Sequence, residues 1–434
     1  MSEASPLDDS IASQQSPQDT APPKGALLSI FLIVATDLLG FGIIIPLLPF
    51  YVKVPQDHPF RVTLLFSIYS ICQFLGAPIL GMISDRVGRR PVLIFSQIGS
   101  VIGYLLLGIA TDIHWVNPMT MLILIYASRV IDGFTGGNIS TAQAYISDVT
   151  TPKNRAKGMG MIGAAFGIGF FIGPFLGGVL GGIRVSIPAY AAAAFSGVAA
   201  LLTYARLPES HRHVQTEAEL WLHPSRFVPI LRKSTLMQLI LIAFCLMAAF
   251  VMMESTIGLF LNRAFNWNQR NVGLYFGFAG IIIVIVQGGL IGRLTKRVGD
   301  WVPAIAGPAL VALGMLGLIW VGWRPVLWIL LLAGAVNAIG RSIHQPTMSS
   351  LISRFSDPRE QGIVFGMYHG IMSLARVAGP ILAGLTYPYL RNTGQFVLAG
   401  FIALAMAVWT MALKQAHPES VQVPGSVGPV AVAE

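Results

Sequence analysis

One motif occurs twice in this chain, and its repetition constrains the fold more than any other feature. The segment Gly81–Arg90 (GMISDRVGRR) returns as Gly292–Asp300 (GRLTKRVGD), with two glycines, an arginine and a valine at one constant offset. A second pattern, which runs from Pro152 to Gly178 and includes a Gly-Pro pair, returns between Pro358 and Gly384. Because both repeats lie in apolar surroundings, they predict a duplicated helical bundle, an architecture typical of secondary transporters.

The composition indicates an integral membrane protein. Of the 434 residues, 54% are hydrophobic and only 11% are charged, whereas soluble domains carry about 25% charged residues. Apolar runs of about 20 residues cross a bilayer as helices, because the backbone must satisfy its own hydrogen bonds there. We therefore predict an all-α fold of twelve transmembrane helices in two pseudo-symmetric six-helix bundles, at about 26–50, 62–84, 91–111, 118–146, 158–180, 186–207, 236–260, 271–294, 302–322, 325–350, 362–384 and 394–414.

The predicted spans divide the chain into five parts. Residues 1–24 and 416–434 are polar or Pro-rich tails that we expect to be disordered, because such composition cannot bury enough apolar surface to fold. Between them lie an N-terminal bundle (25–207), a cytoplasmic linker (208–234) and a C-terminal bundle (235–415). The two cysteines, Cys72 and Cys245, fall in separate spans and are expected to pack as small apolar side chains,.

The basic residues predict the orientation of the chain in the membrane. With both tails inside the cell, 18 of the 28 Lys and Arg residues fall on the cytoplasmic side, seven fall outside and three lie within spans. By the positive-inside rule, this asymmetry predicts a multi-pass protein of the inner (plasma) membrane with both termini cytoplasmic. We interpret the net charge of +9 as a consequence of this topology and not as a sign of nucleic-acid binding,.

Four motifs resemble those of one transporter family. Gly81–Arg90 is similar to its signature loop between spans two and three, and Asp37–Pro49 is similar to its first-span motif. Arg129 with Gly133 resembles the fourth-span motif, and the glycines and proline of Gly163–Gly178 resemble the span-five motif of antiporters. On these residues the chain is identified as a member of the major facilitator superfamily that resembles its twelve-span proton-coupled drug antiporters.

Within that superfamily, the chain resembles the tetracycline-efflux branch through Tyr145–Asp148 and Phe265–Trp267. It departs from the branch in span three, where Gly103 replaces an acid, in span eight, where no histidine stands near Val284, and in span nine, which has no acid. Those positions serve tetracycline and proton handling in the branch. The resemblance therefore leaves the substrate open.

Three charged residues within the spans are candidates for proton coupling. Asp37 lies about eleven residues into the first span, where a charge costs at least about 2.5–3.5 kcal/mol on insertion scales, so we expect it to be protonated reversibly or to face substrate,. Arg129 and Asp132 are three residues apart and share a helix face,. Arg129 can pair with Asp132 permanently, or with Asp37 in one conformation only. The sequence does not decide between these two arrangements.

Four residues of the C-terminal half are candidates for the substrate cavity. Glu254 follows two methionines, which supply an adaptable apolar wall beside an acid that could attract a lipophilic cation,. Asn337, Arg341 and His344 are spaced by four and three, so they form a polar stripe on one helix,. Each of these residues could instead be solvated or packed near the membrane surface.

The repeated motif suggests a gate on the cytoplasmic side. The resemblance implies that Asp85 faces the start of span eleven and that Arg89 is bridged to Asp148, whereas ordinary topogenic charge would explain the arginines alone. Gly88 suits a tight turn, and Gly81 suits close helix approach. The candidate gating residues are Gly81, Asp85, Arg86, Gly88, Arg89 and Asp148.

Span five carries small residues at four-residue steps, a spacing that permits close helix contact. Pro174 removes a backbone donor and favours a bend. We predict a tight, bendable seam between the two halves at Gly169, Gly173, Pro174, Gly177 and Gly178.

These patterns favour a secondary active transporter, and the resemblance implies proton-coupled antiport of a lipophilic drug-like compound by alternating access. A proton symporter or facilitator for a small metabolite is the alternative. A polytopic membrane enzyme is a weaker reading, because the scattered histidines offer no catalytic cluster. The expected partners are a small-molecule substrate, protons and the bilayer. We expect a monomer with no cofactor, no metal and no nucleic acid.

Overall fold

A computed structural model describes residues 26–52, 59–113, 117–150, 152–210, 233–357 and 361–417. The predicted tails and most of the predicted linker lie outside the described residues. Every regular element within these ranges is helical: α1 Ala26–Ile44, α2 Leu48–Tyr51, α3 Pro59–Val87, α4 Arg89–Asp112, α5 Pro118–Thr135, α6 Ile139–Val149, α7 Pro152–Gly181, α8 Ile187–Arg206, α9 Ser234–Phe265, α10 Gln269–Ile285, α11 Ile291–Val298, α12 Trp301–Trp323, α13 Leu327–Arg354, α14 Gln361–Thr386 and α15 Gly394–Ala416.

Local sequence accounts for where several helices begin and where two are interrupted. The side chains of Asn117 and Asn268 cap α5 and α10 by accepting backbone N–H groups at 3.0 and 3.1 Å,. A 3₁₀ turn at Gly136–Asn138 separates α5 from α6, and a π-helical turn at Val286–Leu290 separates α10 from α11. Both interruptions contain a Gly-Gly pair, so the predicted continuous spans at 118–146 and 271–294 are each broken by a local change of helix type.

The outer surface of these helices is apolar, as a bilayer requires. Within the described ranges, nine helical segments are long and apolar enough to cross a membrane,. Large apolar side chains point outwards from them, including Ile102, Leu316 and Phe401, which are 51%, 61% and 71% exposed. A soluble protein would not present so much contiguous apolar surface to water.

The helices pack into an N-terminal and a C-terminal group, and the buried apolar side chains cluster within each group. The N-terminal clusters draw on residues from Ile30 to Leu207, and the C-terminal clusters on residues from Leu236 to Leu413. The two groups meet chiefly where α7 contacts α10 and where α3 contacts α14. This contact surface positions the site described next.

Candidate functional site

Two adjacent cavities lie along the contact between the two groups of helices. The first, here called the Asp37 cavity, is lined by Asp37, Leu38, Phe41, Tyr69, Gln73, Ser100, Tyr104, Asp132, Gly136, Ile139 and Arg376. The second, the Glu254 cavity, is lined by Phe41, Ile45, Leu48, Phe66, Tyr69, Ser70, Arg129, Met247, Val251, Glu254, Arg341 and Arg376. Three residues, Phe41, Tyr69 and Arg376, line both cavities.

Asp37 presents its carboxylate to the first cavity. One oxygen accepts a hydrogen bond from Asn138 Nδ2 at 3.0 Å, and the side chain remains partly exposed. Asn138 lies in the 3₁₀ turn between α5 and α6, so the break in that span brings a neutral donor to the acid. An amide donor leaves the charge of the carboxylate uncompensated, whereas a salt bridge would neutralise it.

Arg129 and Asp132 form a buried ion pair on α5. Arg129 Nη1 lies 3.2 Å from Asp132 Oδ2, and the side chains are 2% and 1% exposed. The guanidinium also lies over the Tyr104 ring at 5.7 Å. A Cβ at Gly103 would lie 2.9 Å from Asp132 Cβ, so α4 fits closely over this acid. Of the two arrangements predicted for Arg129, the pair with Asp132 is the one present in this conformation.

Glu254 lies in the second cavity, as predicted, but its charge has cationic neighbours. Arg341 and Arg376 line the same cavity, and both exert an attractive charge on Glu254. The guanidinium of Arg341 stacks on Phe250 at 3.3 Å from the ring centroid, which fixes its position,. The cavity therefore does not present Glu254 as an isolated anion to a cationic ligand.

Asn337 and His344, which were predicted to line the substrate cavity, line neither of the two cavities in this conformation. Both are buried, at 2% and 5% exposure, and pack against α12. His344 Nδ1 lies 3.2 Å from the carbonyl oxygen of Ala304, and Gly307 and Gly314 allow α12 to approach the two side chains closely. Arg341 reaches the cavity because it lies at the edge of this face and has a longer side chain.

The repeated motif builds a charged cluster at the end of α3. Arg89 lies 2.5 Å from Asp85 and, through Nε, 3.2 Å from Asp148, and it donates to Ser84 Oγ at 2.7 Å. The predicted contact between Arg89 and Asp148 is therefore present. Asp85 contacts Arg89 in this conformation. The predicted span eleven begins as α14 at Gln361, and the residues just before it, 358–360, lie outside the described residues.

Glycines of the motif differ in what they contribute. Gly88 adopts φ +103°, the left-handed region that favours glycine, so the predicted tight turn is present,. The Glu209 carboxylate caps the helix that follows, accepting the N–H groups of Arg89 and Arg90 at 2.9 and 3.2 Å. A Cβ at Gly81 would meet only Ser140 Oγ at 3.8 Å, so the expected close helix approach is absent here. Arg86 is exposed at the end of α3.

The glycines of span five serve two contacts and not one. Gly169, Gly173 and Gly177 pack against α1 within the N-terminal group, at Leu38, Gly42 and Ile43. Of the predicted set, Gly178 and Pro174 meet the C-terminal group: Gly178 lies against Gly273 of α10, and a Cβ at Gly273 would lie 3.0 Å from the Pro174 carbonyl oxygen. The predicted contact between the halves therefore holds for these two residues, and the other three glycines pack within the N-terminal half. Pro174 lies inside α7.

Sequence reasoning missed several polar residues of the site. Asn138 and Gln73 contact Asp37 and Gly136 respectively, and both were visible as uncharged polar residues within apolar spans. Tyr69 lines both cavities, but an aromatic residue in a span gives no such signal. Glu209 likewise looks like ordinary linker charge until α4 is placed beside it.

Comparison with known proteins identifies the family. The profile of the Major Facilitator Superfamily matches residues 30–332 and 323–432, which together include both cavities. The chain belongs to the major facilitator superfamily. As a member of this superfamily it is a membrane transporter and not an enzyme.

Curated relatives include drug-resistance transporters. The class C tetracycline resistance protein of Escherichia coli is 32% identical over 377 residues, which cover 85% of this chain and 91% of that protein. Multidrug resistance protein 2 of Bacillus subtilis is 27% identical over 400 residues, which cover 89% and 96% of the two chains. The chain is thus a multi-pass secondary transporter that resembles the tetracycline-efflux proteins.

Solved structures of the superfamily share the fold. The human organic anion transporter MFSD10 (TETRAN) matches with a TM-score of 0.65 and 24% identity, over 90% of this chain and 100% of that one. A bacterial homologue of the human lysosomal transporter Spinster, in an inward-facing and unoccupied conformation, matches with a TM-score of 0.71 and 15% identity, over 93% and 99%. At these identities the likeness concerns the fold alone.

Proposed function

We propose that this protein is a proton-coupled antiporter of the inner membrane that exports a lipophilic drug-like compound by alternating access. The observation that carries the proposal is the difference in surroundings between Asp37 and Asp132, two acids of the N-terminal half. Asp132 is neutralised by Arg129, whereas Asp37 is partly exposed in a cavity between the halves and is held by a neutral amide. Asp37 is therefore the acid free to exchange a proton with water that enters the cavity.

The proposed architecture is twelve transmembrane helices in two pseudo-symmetric six-helix bundles. The internal repeats support it at the level of the backbone. Gly88 and Gly299, which occupy matching positions of the repeated motif, both have positive φ, at +103° and +72°. Gly178 and Gly384, from the second repeat, each contact the opposite half, at Gly273 and at Phe60. Duplicated segments that make equivalent turns and contacts are expected of two related bundles.

Alternating access is supported by where the halves touch. They meet at the start of α3, where Ser67 Oγ donates to the Val377 carbonyl at 3.1 Å, and at the Gly178–Gly273 pair. At the other end of α14, a Cβ placed at Gly366 would meet no described atom outside its own helix within 4 Å. We propose that this second end is cytoplasmic and open here, and that the Asp85–Arg89–Asp148 cluster gates it.

The proposed topology places both termini and the charged cluster in the cytoplasm, on the asymmetry of basic residues. Single cysteines introduced at Ser210 and at Arg324, in a variant without Cys72 and Cys245, test it in intact cells. An impermeant thiol reagent should label position 324 and spare position 210. Labelling of position 210 from outside would overturn the topology.

The transport proposal is tested with inverted membrane vesicles energised by an imposed proton gradient. Tetracycline, a neutral dye and a cationic dye serve as probes, with vesicles that lack the protein as the control. We expect gradient-driven accumulation of at least one probe, and its collapse when an ionophore removes the gradient. Accumulation only when the gradient is reversed would favour a symporter and contradict antiport.

A further inference from the structure

Arg376 has a position that no other charged residue of the described structure shares. It comes from α14 of the C-terminal group, yet it lines both the Asp37 cavity and the Glu254 cavity. Its neighbour Val377 accepts the hydrogen bond from Ser67 that joins α14 to α3. Arg376 therefore lies at the contact between the two halves, in the lining of one cavity that holds Asp37 and of another that holds Glu254.

Arg376 is also unpaired in this conformation. Within the described ranges, no carboxylate oxygen lies within 4.0 Å of its guanidinium, in contrast to Arg129, whose partner Asp132 is 3.2 Å away. Arg376 nevertheless lines the second cavity together with Glu254, which carries the opposite charge. Because an arginine keeps its charge under all physiological conditions, its position responds to the charges around it and not to its own titration.

The groups facing Asp37 and Arg376 leave few competing partners. Across the two cavities the charged and titratable groups are Tyr69, Tyr104, Arg129, Asp132, Glu254 and Arg341. On α14 itself, Tyr368 and His369 lie within electrostatic range of Arg376. Since Arg129 and Asp132 compensate each other, Asp37 and Glu254 remain as the two acids available to Arg376, and Arg341 shares Glu254 with it.

We infer that Arg376 is the mobile counter-charge of Asp37, and that it moves between Asp37 in one half and Glu254 in the other. When Asp37 is ionised, Arg376 is drawn across the contact and ties the halves together at the cavities. When Asp37 takes up a proton, that attraction ends and Arg376 returns to Glu254, within its own half. Protonation is thereby converted into a change in the attraction between the halves. The inference rests on the proposed proton coupling and assigns its positioning residue.

The experiment measures the distance between spin labels as a function of pH. Labels at Ile183→Cys and Leu274→Cys, which are 73% and 46% exposed in the wild type, report whether α7 and α10 are in contact. Cys72 and Cys245 are replaced by serine beforehand. In lipid nanodiscs, the labelled protein without further substitutions should show two distance populations, one with α7 and α10 in contact and one with them apart. We expect the ratio of these two populations to change with pH.

Arg376→Gln should remove most of that pH dependence, because a hydrogen-bonded charge pair contributes about tenfold or more to such a ratio. Arg376→Lys should restore part of it, since the charge remains while the planar fork is lost. Arg324→Gln, a matched change at an exposed arginine, should leave the profile unchanged. Glu254→Gln should also reduce the pH dependence of this ratio, because Arg376 then has no alternative partner. If Arg376→Gln does not fold, Glu254→Gln provides the test in its place.

Wild-type pH dependence retained in Arg376→Gln or in Glu254→Gln would overturn the inference. Failure of the proposed function looks different. In that case the wild-type protein in sealed proteoliposomes would move no protons when a transported probe is added, whatever the labels report. Proton movement in the wild type together with an unchanged pH profile in Arg376→Gln would refute the inference and leave antiport standing.

Discussion

The contact between Gly178 and Gly273 predicts how a single methyl group should redistribute the conformations of this protein. A Cβ added at Gly178 would overlap Gly273 Cα and lie 2.8 Å from the carbonyl oxygen of Gln269. These are backbone atoms, which cannot rotate away as a side chain would. Overpacking of this kind costs about 1–3 kcal/mol. The cost falls only on the conformation in which α7 and α10 touch.

The expected shift follows from that difference. An energy of about 1–3 kcal/mol, borne by one of two conformations, changes their ratio by about 5- to 150-fold. The gain in helix propensity from glycine to alanine, about 0.5–1 kcal/mol, applies to both conformations and cancels. Gly197→Ala is the matched control, because its Cβ would meet only Val101, at an ordinary 3.9 Å.

The spin-label pair at positions 183 and 274 measures this ratio directly. We expect Gly178→Ala to enrich the longer distance, Gly273→Ala to do the same, and Gly197→Ala to match the wild type. If Gly178→Ala leaves the distance distribution unchanged while the protein remains folded, the glycine pair does not control the closure of this end.

Three further predictions concern the charged groups. Asp132→Asn leaves Arg129 buried without its partner and should lower the free energy of unfolding by about 3–5 kcal/mol, measured by denaturation in detergent; a stability equal to the wild type would show that water or another group replaces the pair. Glu209→Ala removes the cap of α4 and should cost about 1 kcal/mol, again measured by denaturation, with Glu209→Gln losing less; equal losses in the two variants would contradict the cap. Asp85→Asn should slow probe transport in inverted vesicles at unchanged expression, because it removes one acid from the Arg89 cluster; transport at the wild-type rate would assign Asp85 no part in the gate.

Features set by local geometry were predictable from the sequence. The turn at Gly88 follows from a glycine between two helical segments, and the contact between Arg89 and Asp148 follows from the resemblance of the motif. The cavity position of Glu254 follows from the cost of leaving an acid in lipid. In each case the residues themselves, or the bilayer, leave few alternatives.

Features that depend on which neighbour a helix face meets were not predictable. The spacing of Asn337 and His344 places them correctly on one face, but periodicity does not say that α12 and not the cavity covers that face. The four-residue steps of Gly169 and Gly173 likewise predict close packing, and only the fold shows that the partner is α1. Asn138 reaches Asp37 because a 3₁₀ turn interrupts the span, which a search for continuous helices overlooks.

The central claim is that Asp37 carries the proton that drives transport. The most direct measurement places purified protein in sealed proteoliposomes with a pH-sensitive dye in the lumen, and adds the probe that the wild type transports. We expect a luminal pH change with the wild type and with the control variant Asp112→Asn. Asp112 lies away from both cavities, and its carboxylate is 3.1 Å from the guanidinium of Arg184. Asp37→Asn should bind the probe and show no pH change. A normal ratio of protons to probe in Asp37→Asn would contradict the account and assign the proton to another acid.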